Sequence, residues 1–401
     1  MKQTKTHIIR CGIYIGKGLL NIVYFFVKIF PLKNKVVMLS RQSNDSNIDF
    51  DYIKEEILKR DNTIEVKILC KVLKKVPTER LKYCIYIFKC MYHIATSKVC
   101  ILDGYSIPIS ILKHKESIKI IQIWHASGAI KKFGYQSINK KEGRGEQISK
   151  IMNMHKNYDF VISPSTSTAK FYEEAFKIEE NKVLINGLPR LDYILGDDKS
   201  NEKLKNFYKD YPKYKRKKTI LYVPTFRKDL NNTNVIKKLI NNINFSKYNL
   251  IIKLHPLDKS KKFLKYTVNK KYNTFDCLRA ADYIITDYSA IAFEAAILDK
   301  PLYFYVYDID EYKKARGLNI DLFEEMNNNT SKDIREIIRA IEDDIYDYDE
   351  LQEFKTKYMG TNYRNNTVKL VNFVFKCLNK DVKDEENKDN TYEHSKEKLN
   401  I

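Results

Sequence analysis

No acidic side chain precedes Asp45, whereas Lys2, Lys5, Arg10, Lys17, Lys28, Lys33, Lys35 and Arg41 do, so the amino-terminal stretch of this 401-residue chain is purely cationic. The formal net charge of +21 calls for an acidic counterpart: nucleic acid, anionic lipid or a phosphate-rich substrate. No helix-turn-helix, zinc-finger or aromatic RNA-binding signature accompanies any basic stretch, which argues against sequence-specific nucleic-acid binding. The seven cysteines, Cys11, Cys70, Cys84, Cys90, Cys100, Cys277 and Cys377, show neither metal-ligand nor redox spacing. They read as reduced, mostly core residues in the cytoplasm, and no metal site is expected. Short repeats are missing, which excludes a solenoid. Large apolar side chains become scarce from residue 380 onward, and the charged tail 380–401 is expected to be solvated and disordered.

Residues 8–30 are strongly apolar but interrupted by Arg10, Lys17, Asn21 and Lys28. At about 100° per residue these four project within roughly 20° of one line along a helix, opposite Ile, Leu, Val and Phe. A spanning helix would hide Lys17 near its centre at a cost of several kcal/mol, whereas a helix in the membrane interface keeps every cation among the headgroups. Nearby anionic lipid adds about 1 kcal/mol per cation. Packing on the protein's own body is the plain alternative; a secretory signal lacks its cleavage pattern. Segment 1–34 is therefore expected to be a membrane-surface amphipathic helix.

From residue 35 short apolar runs alternate with charged, helix-like stretches. Buried parallel strands are expected in 36–40, 66–70, 97–103, 118–125, 158–165 and 182–187, then in 219–227, 248–256, 281–289 and 300–308. Two such series imply two doubly wound α/β domains with ligands at the strand ends. The expected division is 35–200, a basic linker at 201–218, and 219–379.

Three clusters carry candidate chemistry. In IWHASGAIKKFGY, 123–135, His125 follows a strand and precedes small residues and the cations Lys131 and Lys132. A neutral imidazole there can take a proton from a hydroxyl, although a core histidine bonded to a carbonyl would look the same. In YNLIIKLHPLD, 248–258, Lys253 and His255 lie two apart and share a strand face, so both can address one anion; Lys253 snorkelling out with His255 capping the next helix is the alternative. In ADYIITDYSAIAFEAAILDKP, 281–301, a strand ends at Thr286, and Asp287 and Ser289 enter a helix whose N-terminus suits a pyrophosphate. Glu294 can reach a ribose or sugar hydroxyl from that helix; simple N-capping by Asp287 or Ser289 is the alternative. NGLPRLD, 186–192, and VPTFRKD, 223–229, place Arg190, Thr225 and Arg227 in turns, as phosphate forks or as ion-pair partners.

Together, in this order, the clusters resemble the CDP-glycerol glycerophosphotransferase family of teichoic acid and capsule synthesis, over about residues 36–379. The markers are WHASGAIKKFGY, NGLPRLD, LYVPTFR, IKLHP, ITDYSAIAFEAA, KPLYFYVYDIDEY and RGLNID at 316–321. The resemblance implies a GT-B architecture, two Rossmann-like domains around a cleft, N-terminal for the acceptor and C-terminal for the CDP-polyol, attached peripherally to the cytoplasmic membrane face. It implies His125 as base, with His255 and Lys253 stabilising the pyrophosphate, and CMP as leaving group. Trp124, Ala126, Ser127, Gly128, Arg190, Pro224, Thr225, Arg227, Leu254, Thr286, Asp287, Ser289, Ala290 and Glu294 complete the pocket that it implies. No obligatory cofactor is implied; the partners are a CDP-polyol, a lipid-linked polymer acceptor and anionic lipid, with no nucleic acid. Ala126, Ala290 and Glu294 stand where many members carry Gly, Ser and Asp, which leaves CDP-ribitol open beside CDP-glycerol. The rivals are a GT-B sugar transferase using a UDP-sugar and a catalytically idle scaffold of polymer assembly.

Overall fold

A computed structural model describes residues 2–74, 76–227, 233–254 and 263–379, with side chains described from residue 10. The expected tail 380–401 lies outside the described residues. All ten expected strand regions form strands: β1 Lys33–Ser40, β2 Glu65–Cys70, β3 Ser97–Leu102, β4 Lys119–Gln122, β5 Phe160–Ser163, β6 Val183–Ile185, β7 Lys218–Tyr222, β8 Tyr248–Ile252, β9 Tyr283–Thr286 and β10 Leu302–Tyr305. An eleventh, β11 Thr330–Ser331, is two residues long and leaves no periodicity to read.

Every pairing between these strands is parallel. The first sheet runs β2-β1-β3-β4-β5-β6 and the second β11-β10-β9-β7-β8. Parallel sheets need both faces covered, which is why the strands are apolar throughout rather than alternating. Each sheet reverses its winding once, between β1 and β3 in the first and between β7 and β9 in the second. Ligands of doubly wound sheets sit outside the strand carboxyl ends at these two reversals.

Two boundaries differ from expectation. The stretch 201–218 is not a linker: the helices Asp198–Asp210 and Lys213–Arg216 bury Phe207 and Tyr214 against the second domain, with Tyr272 and Leu221 in the same core. Its lysines lie on the solvent side, so a basic composition concealed an amphipathic helix. The segment 219–379 is not wholly the second domain either. Its last helix, Asn366–Cys377, crosses back and packs Leu370, Val371, Val374 and Phe375 with Val36, Val99, Ile53 and Phe50 of the first.

The first helix, α1 Lys2–Val27, is oriented contrary to expectation: part of its polar stripe faces the protein. Lys17 Nζ donates to the Ile151 carbonyl at 3.3 Å, Asn21 Nδ2 donates to that of Ile111 at 3.0 Å, and the Tyr24 hydroxyl meets His114 Nδ1 at 2.9 Å. Ile15, Leu19, Ile22, Phe25 and Phe26 point outward. After α2 Ile48–Arg60 comes α3 Pro77–Ala95, which runs beside α1 and whose outer face is also apolar: Leu81, Ile85 and Phe88 are 67%, 65% and 49% exposed.

Candidate active site

Between the two sheets lies a cavity of about 430 Å³, reached by the strand-end loops of both domains. From the first domain come Trp124, His125, Ala126, Gly128 and Arg190; from the second, Pro224, Lys253, Leu254, Ser289, Ala290 and Glu294. His255 lies outside the described residues, while the two residues before it line the cavity.

His125 is presented by a backbone device invisible in sequence. Trp124 adopts φ 60°, a left-handed conformation disfavoured for a bulky residue, and its N–H donates to Gln122 Oε1 at 2.9 Å. The turn lays His125 against the indole at 4.1 Å between ring centres and puts Nδ1 3.0 Å from the Asp103 carbonyl and 3.2 Å from the Gln42 side-chain amide. The Asp103 carbonyl only accepts, which assigns the proton to Nδ1 and the lone pair to Nε2, with the Gln42 amide turned to offer its oxygen; this is the tautomer a general base needs. Enclosure by the two domains depresses the imidazole pKa, to about 4, against the Asp103 carbonyl, which raises it. The ring still meets cleft water, which screens part of that shift; its direction keeps the base neutral near pH 7.

Arg190, expected on the ligand, spends its fork on the protein. It binds Asp49 through its backbone N–H at 2.8 Å and Nε at 2.9 Å, and Nη1 donates to the His125 carbonyl at 2.8 Å. It is therefore a positioning residue for the histidine loop. Glu294 bridges the domains: Oε1 accepts from the Ser127 hydroxyl at 2.9 Å and lies 3.5 Å from Arg190 Nη1. Its second oxygen, Oε2, is buried with no partner among the described residues, leaving an acceptor at the cavity wall. Burial raises its pKa, opposed by Arg190 and Ser127.

Five expected ligand contacts instead sit behind the cavity wall. Ser127 is fully buried against Glu294. The Thr286 hydroxyl donates to the Val223 carbonyl at 2.7 Å, and Thr225 N–H donates to Asp287 at 2.9 Å. Arg227 is clasped by Asp308, at 2.8 and 3.1 Å, and by Asp287 at 2.9 Å, with Tyr288 and Tyr312 under its guanidinium. These residues tie β7, β9 and β10 together beneath the site. The following helix Ile291–Ala296 has Ala290 at its N-cap and no side-chain cap, so neither Asp287 nor Ser289 caps it.

Lining residues outside the expected set include Ile130, Lys131, Phe133, Phe275 and Arg316. Lys131 is visible in the KK pair, but which of the two lysines faces the cavity depends on a pairing across the domains. There 129–132 runs against 317–319: Lys131 bridges Leu318 antiparallel, Asn319 N–H donates to the Ile130 carbonyl at 2.8 Å, and Lys132 N–H donates to that of Gly317 at 3.0 Å. Close approach at Gly128 completes the seam, since a Cβ there would lie 2.5 Å from the Phe293 ring. Burial pulls the Lys131 pKa down to about 8, against the attraction of Asp287. Its charge is thus lost as pH rises through 8, so the affinity of the cavity for a phosphate-bearing ligand should fall several-fold between pH 7 and 9. Lys131→Arg, charged throughout, should flatten that limb, as steady-state kinetics across pH would show.

The family model described as CDP-Glycerol:Poly(glycerophosphate) glycerophosphotransferase matches residues 22–376. The chain is 29% identical over 378 residues to the teichoic acid ribitol-phosphate primase of Bacillus spizizenii, covering 91% of this chain and 97% of the relative. It is 28% identical over 388 residues to the teichoic acid glycerol-phosphate primase of Bacillus subtilis, covering 93% and 98%. Among solved structures the wall teichoic acid polymerase TagF superposes with TM-score 0.70 at 17% identity, over 93% of this chain and 98% of that one. The S. aureus MnaA–UDP structure gives 0.55 at 13% identity, over 86% and 97%, a likeness of GT-B-like fold. The chain belongs to the CDP-glycerol:poly(glycerophosphate) glycerophosphotransferase family and is an enzyme of the polyol-phosphate transferase type.

Proposed function

We propose that the protein transfers glycerol phosphate, or ribitol phosphate, from a CDP-polyol to a lipid-linked teichoic acid or capsular polymer at the cytoplasmic face of the membrane. The observation that carries the reading is the 3.0 Å contact of His125 Nδ1 with the Asp103 carbonyl, which assigns the proton to Nδ1 and leaves Nε2 as a base in a cleft that also contains Lys253. An acceptor hydroxyl gives its proton to Nε2, its oxygen bonds to the phosphorus bearing the polyol, and the bond from that phosphorus to CMP breaks. Lys131 and Lys253 offset the charge gathering on the leaving phosphate, so the step calls for no obligatory metal or cofactor. Glu294 Oε2 is placed to accept from a ribose or polyol hydroxyl. Purified protein given labelled CDP-glycerol, CDP-ribitol and a UDP-sugar with lipid-linked acceptor should transfer from a CDP-polyol. Transfer from the UDP-sugar alone rejects the reading in favour of the sugar transferase.

The peripheral attachment rests on the outer faces of α1 and α3. Residues 10–27 are apolar enough to span, yet the packing of Asn21 and Tyr24 against the protein is incompatible with lipid on all sides. A helix with exposed Phe and Leu and inward polar groups suits an interface with its apolar side down in the acyl boundary. Wild-type protein should float with phosphatidylglycerol vesicles. Replacing Leu19, Ile22, Phe26, Ile85 and Phe88 by Ser should leave it in the soluble fraction, still folded by circular dichroism; equal flotation of both forms contradicts the attachment.

A further inference from the structure

The cavity occupies the winding reversal of the second sheet, where the loops after β7 and β9 carry Pro224 and Ser289. The first sheet has a reversal of its own, between β1 and β3, and its loops carry a different set of groups. Arg41 follows β1 and Tyr105 follows β3. The guanidinium of Arg41 lies 5.7 Å from the centre of the Tyr105 ring, and that of Arg144 lies 4.8 Å from the same centre. Arg41 Nη1 donates to the Tyr105 carbonyl at 3.2 Å, while its Nε is buried with no partner among the described residues. Neither arginine has an acidic partner among the described residues. Two unneutralised guanidinium groups over one ring at a winding reversal are an anion site in chemistry and in position.

Its surroundings indicate which anion. Gln42, next to Arg41, touches His125 at 3.2 Å, so the pair stands on the acceptor side of the base. Arg41 also stacks at 5.8 Å on Tyr83 of α3. Arg144 leads into the helix Glu146–Ile151, whose Ile151 carbonyl receives Lys17 of α1. The two arginines thus stand between the exposed apolar helices and the catalytic histidine, where the phosphate of a lipid-linked chain would pass.

We propose that Arg41 and Arg144 with Tyr105 form an acceptor subsite that grips a phosphodiester or pyrophosphate of the lipid-linked acceptor while its terminal hydroxyl meets His125. The inference rests on the transferase reading above, and the test separates the two. Wild-type protein, Arg41→Gln and Arg144→Gln are assayed with a CDP-polyol donor and a lipid-linked acceptor; a wild type that transfers no polyol phosphate refutes the reading itself. Given wild-type transfer, each variant should raise acceptor KM by about tenfold or more and leave donor KM within twofold. Unchanged acceptor KM, or a rise in donor KM instead, overturns the subsite. Arg144 is exposed, so its variant answers the question even if Arg41→Gln folds poorly. Flotation on phosphatidylglycerol vesicles distinguishes the other phosphate source: variants that bind vesicles like wild type support the subsite, and variants that lose vesicle binding in proportion to activity assign these arginines to bulk headgroups and overturn it.

Discussion

Replacing His125 by Ala should lower kcat by about 10²- to 10⁴-fold, the span associated with losing a positioned general base. The ring lies in the open cleft and fills no core, so folding should be untouched, and donor KM should move little because the cations of the cavity remain. A fall in kcat with donor KM and melting temperature held is the result to look for; near-normal turnover would remove the imidazole from the step. His125→Gln tests the same assignment from another side, since an amide keeps a hydrogen bond but cannot take a proton. Changing Asp49 to Asn should act through Arg190, which holds the His125 carbonyl, and reduce kcat more than donor affinity. From the family resemblance His255→Ala is expected to be comparably inactive.

The strands were legible because parallel strands buried on both faces write continuous apolar runs, and all ten short runs read from residue 35 onward became strands. The strand-end histidine and the KL pair before His255 were legible for the same reason: polar residues directly after such runs stand at carboxyl ends. What could not be read were partners set by the tertiary fold. Arg190, Arg227 and Glu294 advertise phosphate or hydroxyl chemistry by type, yet Asp49, more than a hundred residues upstream, claims the first, Asp287 and Asp308 claim the second, and Ser127 takes half of the third. No local pattern marks a buried ion pair. The same applies to α1, where the sequence shows the polar stripe but only the packing of Asn21 and Tyr24 shows that it faces inward. The unexpected φ of Trp124 likewise has no sequence signature, as the residue is neither Gly nor Asn.

Arg227→Met should be the most destabilising of the substitutions considered. The guanidinium side chain is 4% exposed and faces two buried carboxylates, those of Asp287 and Asp308, in a frame of Tyr288 and Tyr312. Removing one partner of a buried ionic group costs about 3–5 kcal/mol, because the remaining charges keep their desolvation penalty without compensation. At roughly 2–4 °C per kcal/mol for domains of this size, the melting temperature should drop by about 10 °C. The loss should be relieved in Arg227→Met/Asp287→Asn/Asp308→Asn, which removes the stranded charge while keeping shape and the Thr225 contact. If the single variant melts like wild type, the cluster is not a structural clasp, and Arg227 returns to the list of groups free to bind the donor. If the triple variant recovers stability and transfer together, the cluster serves only to hold the loops after β7 and β9 in register around the cavity.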